Sequence, residues 1–360
     1  VLIFRYLAKE VFTTLLALTS ILLLIFMSNQ FVLYLSRAAN GQIPAMFILK
    51  LMALELPMFM GLLLPLGFYM ALLLAYGRLY AESEMTVLHA CGYGPPQLLK
   101  HSLIMASGVA AVVLVILLWV NPAIAVERVK LLRSSGIQVM IKTLVPGTFT
   151  AASGGKDVFY VENMSKDHDR AKGVFLARLK YKKGEPRWDI LWADEAYATH
   201  NKKSGTNDLV LLDGRAYQGN PGQADYQVAS FKKYETRLPE PVSSPKAGDL
   251  RSADTADLWP LGPGEHAKAA ELQWRFSIPL MVIVLTLVAV PLSRVNPRAG
   301  KYARLLPAIL LFIAYANLMF LTRDAVAAGK IPLWIAIISL HGSMVLIGVG
   351  LMWRNRMKPS

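Results

Sequence analysis

Six stretches of this chain carry no charged residue: between Glu10 and Arg37, Glu55 and Arg78, Lys100 and Glu127, Arg275 and Arg294, Arg304 and Arg323, and Lys330 and Arg354. Each is long enough for the roughly 17–25 apolar residues that a helix needs to cross a ~30 Å hydrocarbon core. The pattern predicts membrane helices over 11–35, 51–77, 102–120, 272–292, 305–322 and 332–353. Pro57 and Pro65 fall inside the second, which a membrane helix tolerates where neighbours satisfy the freed carbonyls. The polar stretch between the third and fourth helices has another rhythm. Segments 157–161, 174–181, 188–199, 209–217 and 226–234 are rich in Val, Leu, Phe, Tyr and Trp, and partly alternate. Turn formers separate them at 153–155, 183–186, 204–207 and 219–222, and a proline-rich return linker follows over 239–264. The fold class is therefore an α-helical membrane protein with six transmembrane helices, three plus three, and an inserted all-β, jelly-roll-like domain. The expected domains are 1–121, holding a cytoplasmic loop at 78–100, then the β domain 122–255, the linker 256–271 and the helices of 272–360.

Composition agrees, with 54% hydrophobic and only 17% charged residues. A single cysteine, Cys91, rules out an internal disulfide framework, so the β domain must rely on its core. The net charge of +14 sits mainly in the membrane portion, which makes it a topology signal and not a nucleic-acid footprint. Arg5, Lys9, Arg78, Lys100, Arg294, Arg298, Lys301, Arg304, Arg354, Arg356 and Lys358 gather on one side. The short loops of the other side hold only Arg37, Lys50, Arg323 and Lys330. That bias places both termini in the cytoplasm and the β domain outside. The first apolar stretch exceeds a cleavable signal and is expected to remain as an anchor.

No phosphate loop, no H-E-x-x-H, no Cys/His cluster and no G-x-S-x-G elbow occurs, so this chain is expected to do no covalent chemistry of its own. The sharpest local signal is the loop after the second helix. There Arg78 and Glu82 are an i,i+4 pair, Met85 and Leu88 share a helix face, and Gly92 suits a left-handed helix stop. With Glu84 and His89, this reads as a short helix along the membrane that offers acids and an apolar ridge to a soluble partner. Glu55 is read as a rim ion pair or an exposed carboxylate, and His341 as hydrogen-bonded between helices.

The run 77–92, the sequence 291–298 with its Val295-Asn296-Pro297-Arg298, and Leu306-Pro307-Ala308 closely resemble the lipopolysaccharide-export permeases, the YjgP/YjgQ family. The layout of three helices, a β domain and three helices resembles it too, and the details are more similar to the F-type subunit than to its G-type partner. The resemblance implies a permease subunit in the bacterial inner membrane, paired with a G-type permease subunit and driven by a separate cytoplasmic ATPase dimer. It would extract lipopolysaccharide and pass it to a periplasmic bridge protein with a β-jelly-roll domain. No cofactor is implied in this chain; ATP and magnesium belong to the partner ATPase.

A lipid of several acyl chains needs an apolar cavity opening sideways. Phe26, Phe31, Leu33 and Tyr34 on the first helix, with Tyr315, Met319 and Phe320 on the fifth, are the candidates. A phosphorylated head needs cations at the outer rim, where Arg37, Arg323, Lys50 and Lys330 are expected. Phe175 and Trp192 are expected inside the β domain. Two other classes compete: a scaffold that merely anchors the β domain, and an ion-coupled carrier. The first has no use for the acidic–apolar loop, and the second needs several buried acids and unwound helices near mid-membrane.

Overall fold

The computed structural model describes residues 2–39, 43, 45–134, 146–152, 157–165, 170–182, 185–201, 206–219, 226–237, 250–259, 261–262, 264–294 and 304–356. Its helices are α1 (Leu2–Ala39), α2 (Ile48–Ala81), α3 (Glu84–Ala90), α4 (Pro95–Val115), α5 (Asn121–Ser134), α6 (His266–Leu292), α7 (Leu305–Ala327) and α8 (Leu333–Arg356). A π turn, Ile116–Val120, joins α4 to α5, so the third span runs on as helix to residue 134, within the stretch expected to begin the β domain. Six helical spans are long and apolar enough to cross a membrane, in the three-plus-three order expected. The turn segments at 153–155, 183–184, 204–205 and 220–222, residues 239–249, 260 and 263 of the return linker, and the motif residues 295–298 lie outside the described residues.

The chain divides into two units. The first comprises Val1–Ser28, Leu54–Val126 and Gly248–Ser360. Its central helix is α6, 78% buried over its apolar window, against 17% for both α1 and α7. Ile278, Met281, Val282, Leu285 and Ala289 of α6 pack in one core with Phe68, Leu72 and Tyr76 of α2, Met105 and Val109 of α4, and Leu340 and Met344 of α8. Buried hydroxyls are paired within it: Tyr76 with Ser102 at 2.8 Å, and Tyr69 to the Ala308 carbonyl at 3.3 Å. The Tyr315 hydroxyl bonds His341 Nδ1, the inter-helix contact expected for that histidine. Glu55 is 4% exposed, which excludes the exposed-carboxylate alternative and not the ion-pair one. Among the described residues, most of the apolar surface of α1 and α7 is uncovered.

The second unit comprises Asn29–Ala53 and Glu127–Ala247 and contains the sheet. Its strands are β1 (Phe149–Ala152), β2 (Asp157–Met164), β3 (Arg170–Lys182), β4 (Glu185–Asn201), β5 (Thr206–Gly219) and β6 (Gln227–Arg237), all antiparallel and paired in chain order. One apolar cluster takes Phe159, Val161, Ala171, Val174, Leu176, Leu191, Ala193, Ala196, Leu209 and Leu211, with Met164, Ala216 and Phe231 against it. Strict alternation cannot put these on one face. It slips by one residue between Val161 and Met164, Ala171 and Val174, Ala193 and Ala196, and Leu211 and Gly214, and these pairs lie side by side in the register. Two residues in the slip, Gly173 (φ 61°) and Asp213 (φ 47°), occupy the left-handed region, which bends a strand sharply. At Gly173 a Cβ would stand 2.4 Å from Glu162 Oε2 and 2.7 Å from Glu162 Cβ, so a side chain there would be both strained and crowded.

The matched bend folds the sheet along a line, and the two halves turn their apolar faces toward each other. Phe231 and Tyr234, on either side of it, bring their rings to 5.2 Å. Tyr234 and Thr236 line a small cavity with Leu176, Arg178, Asp189, Leu191 and Ala216 from the other half. This makes a two-layered β domain from one set of long strands. Phe175 and Trp192, expected inside, pair with each other on the opposite face from Leu176 and Leu191. They continue an outward aromatic row with Tyr160 and Phe149, whose rings are 4.8 Å apart.

Candidate coupling segment and lipid-facing cations

The candidate coupling segment is built by two stops. After α2, Ser83 takes a left-handed conformation (φ 63°), unusual for a residue with a Cβ, and turns the chain into α3. At the other end Gly92 (φ 85°) donates to the His89 carbonyl and Tyr93 to the Leu88 carbonyl, both at 3.0 Å. This is the left-handed stop expected from the sequence. Between them Met85 is fully buried in this chain's own core, and Leu88 is half-buried against it. The expectation that Met85 projects toward a partner is corrected: in a two-turn helix lying on the bundle, the apolar face seats the helix inward. The outward face carries Thr86 and Val87, the latter 62% exposed.

Polar contacts strap this segment to the start of α1. The Tyr6 hydroxyl donates to Glu84 Oε2 at 2.5 Å. Arg78 pairs closely with Glu10 and only loosely, at 4.0 Å, with Glu82, so its main partner is not the i,i+4 acid read from the sequence. Burial, and then the charge of Arg294, lowers the pKa of His89 from the ordinary imidazole value.

The proposed lipid contacts separate into two kinds. Phe26, Phe31 and Leu33 on α1 and Phe320 on α7 are exposed, as an acyl-chain surface requires. Tyr34, Tyr315 and Met319 are not; each is at most 2% exposed, so their assignment to an open cavity is corrected. Tyr34 instead accepts a hydrogen bond from Arg128 at 3.3 Å, and Tyr315 and Met319 belong to the helical core. Among the cations, Arg37 lies in the last turn of α1 with its guanidinium 5.9 Å from the Tyr34 ring centre. Lys50 is 3.9 Å from Glu127, with both side chains about half exposed. Lys330 is exposed beyond the end of α7.

Arg323 belongs to a larger construction that sequence reasoning missed. Its Nη2 donates to Glu271 Oε2 at 3.1 Å, and its guanidinium lies 4.8 Å from the centre of Trp274, whose ring in turn meets Phe320 at 5.1 Å. The other Glu271 oxygen accepts from Arg275 Nε at 3.1 Å. Arg275, 2% exposed, donates further to Thr255 Oγ1 at 2.7 Å and to the Leu250 and Ala253 carbonyls, both at 3.0 Å. Thr255 donates to the Leu118 carbonyl in the π turn at 3.0 Å. Such turns disturb the helical ladder, and here a side chain from the return linker takes up a carbonyl. One arginine thus ties the linker to α6 and, through Thr255, to the third span. The i,i+4 spacing of Glu271 and Arg275 was the available signal.

Six apolar spans, a short helix strapped to the first of them and an inserted sheet define a multi-pass membrane protein of permease design, and no group of three or more metal-ligating side chains occurs among the described residues. The family model of the lipopolysaccharide export system permease LptF/LptG matches residues 5–354. The chain is 32% identical over 341 residues to the lipopolysaccharide export system permease protein LptF of Escherichia coli K12, covering 94% of this chain and 92% of that protein. The proteins of the same name from Escherichia coli O157:H7 and Shigella flexneri give the same figures. This chain belongs to the LptF/LptG permease family, and the relatives it matches are of the F type.

Proposed function

We propose that this chain is a permease subunit of an ATP-driven, ABC-type transporter that takes lipopolysaccharide from the inner membrane and passes it to a periplasmic bridge on the way to the outer membrane. A G-type permease subunit completes the membrane part, and a cytoplasmic ATPase dimer binds ATP and magnesium. The observation that carries the reading is the strapped coupling helix. Glu84 on α3 is bonded to Tyr6, and Arg78 beside it to Glu10, so a pull on α3 is delivered to the first membrane span. Glu82, Thr86 and Val87 form the outward docking face, and Glu84, Leu88 and His89 hold its shape. In the membrane, the exposed side chains Phe26, Phe31, Leu33 and Phe320 meet acyl chains, while Arg37, Arg323, Lys50 and Lys330 meet the head group.

The test is purification of the tagged chain in mild detergent from cells making the ATPase. The ATPase is expected to copurify in near-stoichiometric amount, and Val87→Asp to abolish this. Recovery of the folded permease without any nucleotide-hydrolysing partner would contradict the proposal.

A further inference from the structure

Burial falls off along the cluster around Glu271. The side chain of Arg275 is 2% exposed, that of Glu271 8%, and that of Arg323 24%. Arg275 is fixed on all sides, by Glu271, Thr255 and the carbonyls of the return linker. Among the described residues Arg323 is held by one hydrogen bond, to Glu271, and by the flat face of Trp274. If Arg323 swings away, Glu271 keeps Arg275, so no unpaired carboxylate is left buried. One member of this cluster is built to exchange.

We infer that Glu271 is the counter-ion that Arg323 gives up for a phosphate of the lipid head group, and that it recaptures Arg323 when the lipid moves on. The inference rests on the reading of Arg323 as a head-group cation. Carboxylate and phosphate oxygens compete for the same guanidinium fork. A transport site must hold its cargo weakly enough to release it. Competition from a carboxylate at 3.1 Å supplies that weakness without removing the cation that recognises the lipid. Arg275 acts through Glu271: it keeps the carboxylate in place while Arg323 is away.

The sign of the effect separates this role from a structural one. Glu271→Gln keeps the size and a hydrogen-bond acceptor but removes the charge. In the reconstituted complex it is expected to tighten binding of phosphorylated lipopolysaccharide on the order of tenfold, the scale of one charge-assisted contact made neutral. Transport should slow at the same time. The tightening should vanish in an Arg323→Ala background, since the released cation is then absent. It should also vanish with lipid A stripped of its phosphates. Glu271→Asp, which withdraws the charge by one methylene, should shift binding the same way by less, and serves if the Gln variant does not assemble. Unchanged or weaker binding in assembled Glu271 variants, where Arg323→Ala does weaken binding, would overturn the inference alone. No effect of Arg323→Ala would instead defeat the head-group reading. Displacement of the lipid by millimolar inorganic phosphate alone would assign the site to free phosphate and overturn the lipid assignment.

Discussion

Replacing Arg37 by alanine is expected to weaken capture of lipopolysaccharide by about one to two orders of magnitude, and replacing Arg323 as well to weaken it further. A hydrogen bond to a charged group contributes about 1.5–3 kcal/mol, and about 1.4 kcal/mol corresponds to tenfold in affinity. The two arginines do not contribute equally. Arg37 faces only the Tyr34 ring among its described contacts, so a phosphate there replaces water. Arg323 must first leave Glu271, which lowers its net contribution. Arg37→Ala should therefore cost more than Arg323→Ala, and lysine should rescue each only in part, because a point charge replaces a planar fork. Equilibrium binding of fluorescent lipopolysaccharide to the purified complex measures this. Wild-type affinity in the double variant would mean that both side chains only anchor their helices at the interface.

The second large effect concerns Met85. Its side chain has no exposed surface and packs in the same core as Leu79, Tyr93 and Leu98. Met85→Asp places a carboxylate there with no described partner, at a cost of several kcal/mol. The milder Met85→Ala leaves a cavity costing about 2–5 kcal/mol. Both are expected to lower the melting temperature of the solubilised permease, and the Asp variant to lose the ATPase because α3 is no longer seated. Val87→Asp should lose the ATPase with no change in melting temperature, since Val87 is on the outward face. Thermal denaturation beside copurification separates the two. Equal loss of stability in both variants would contradict the assignment of faces on α3.

Residue type alone reveals some parts of this architecture and hides others. The six spans and five of the six strands, β2 to β6, were legible because charge-free length and clustered apolar residues are strong signals. So was Gly92, because few residues suit a left-handed stop. The direction of α3 was not legible: Met85 and Leu88 share a face at i,i+3, but two turns of helix do not say whether that face looks in or out. The slip that carries the β core across its bend breaks the alternation at Glu162, Asp194 and Asp213, and so hides which face Phe175 and Trp192 occupy. The Arg275 cluster was invisible for another reason. Most of its partners are linker carbonyls more than twenty residues away, and backbone acceptors leave no trace in residue type. Glu271 and Arg275 read only as charges bordering a span.

The proposed route, driven by a separate ATPase, leads lipopolysaccharide through the β domain of this chain on its way to the periplasmic bridge. The most direct measurement places a photo-crosslinking residue at Tyr234, which lines the cavity between the two halves of the sheet, with Trp192 on the outer face as control. The complex, reconstituted with lipopolysaccharide, is illuminated with and without ATP. Capture at Tyr234 is expected only with ATP, and none at Trp192. Capture at Tyr234 that is equal with and without ATP, or that occurs only at Trp192, would contradict the account.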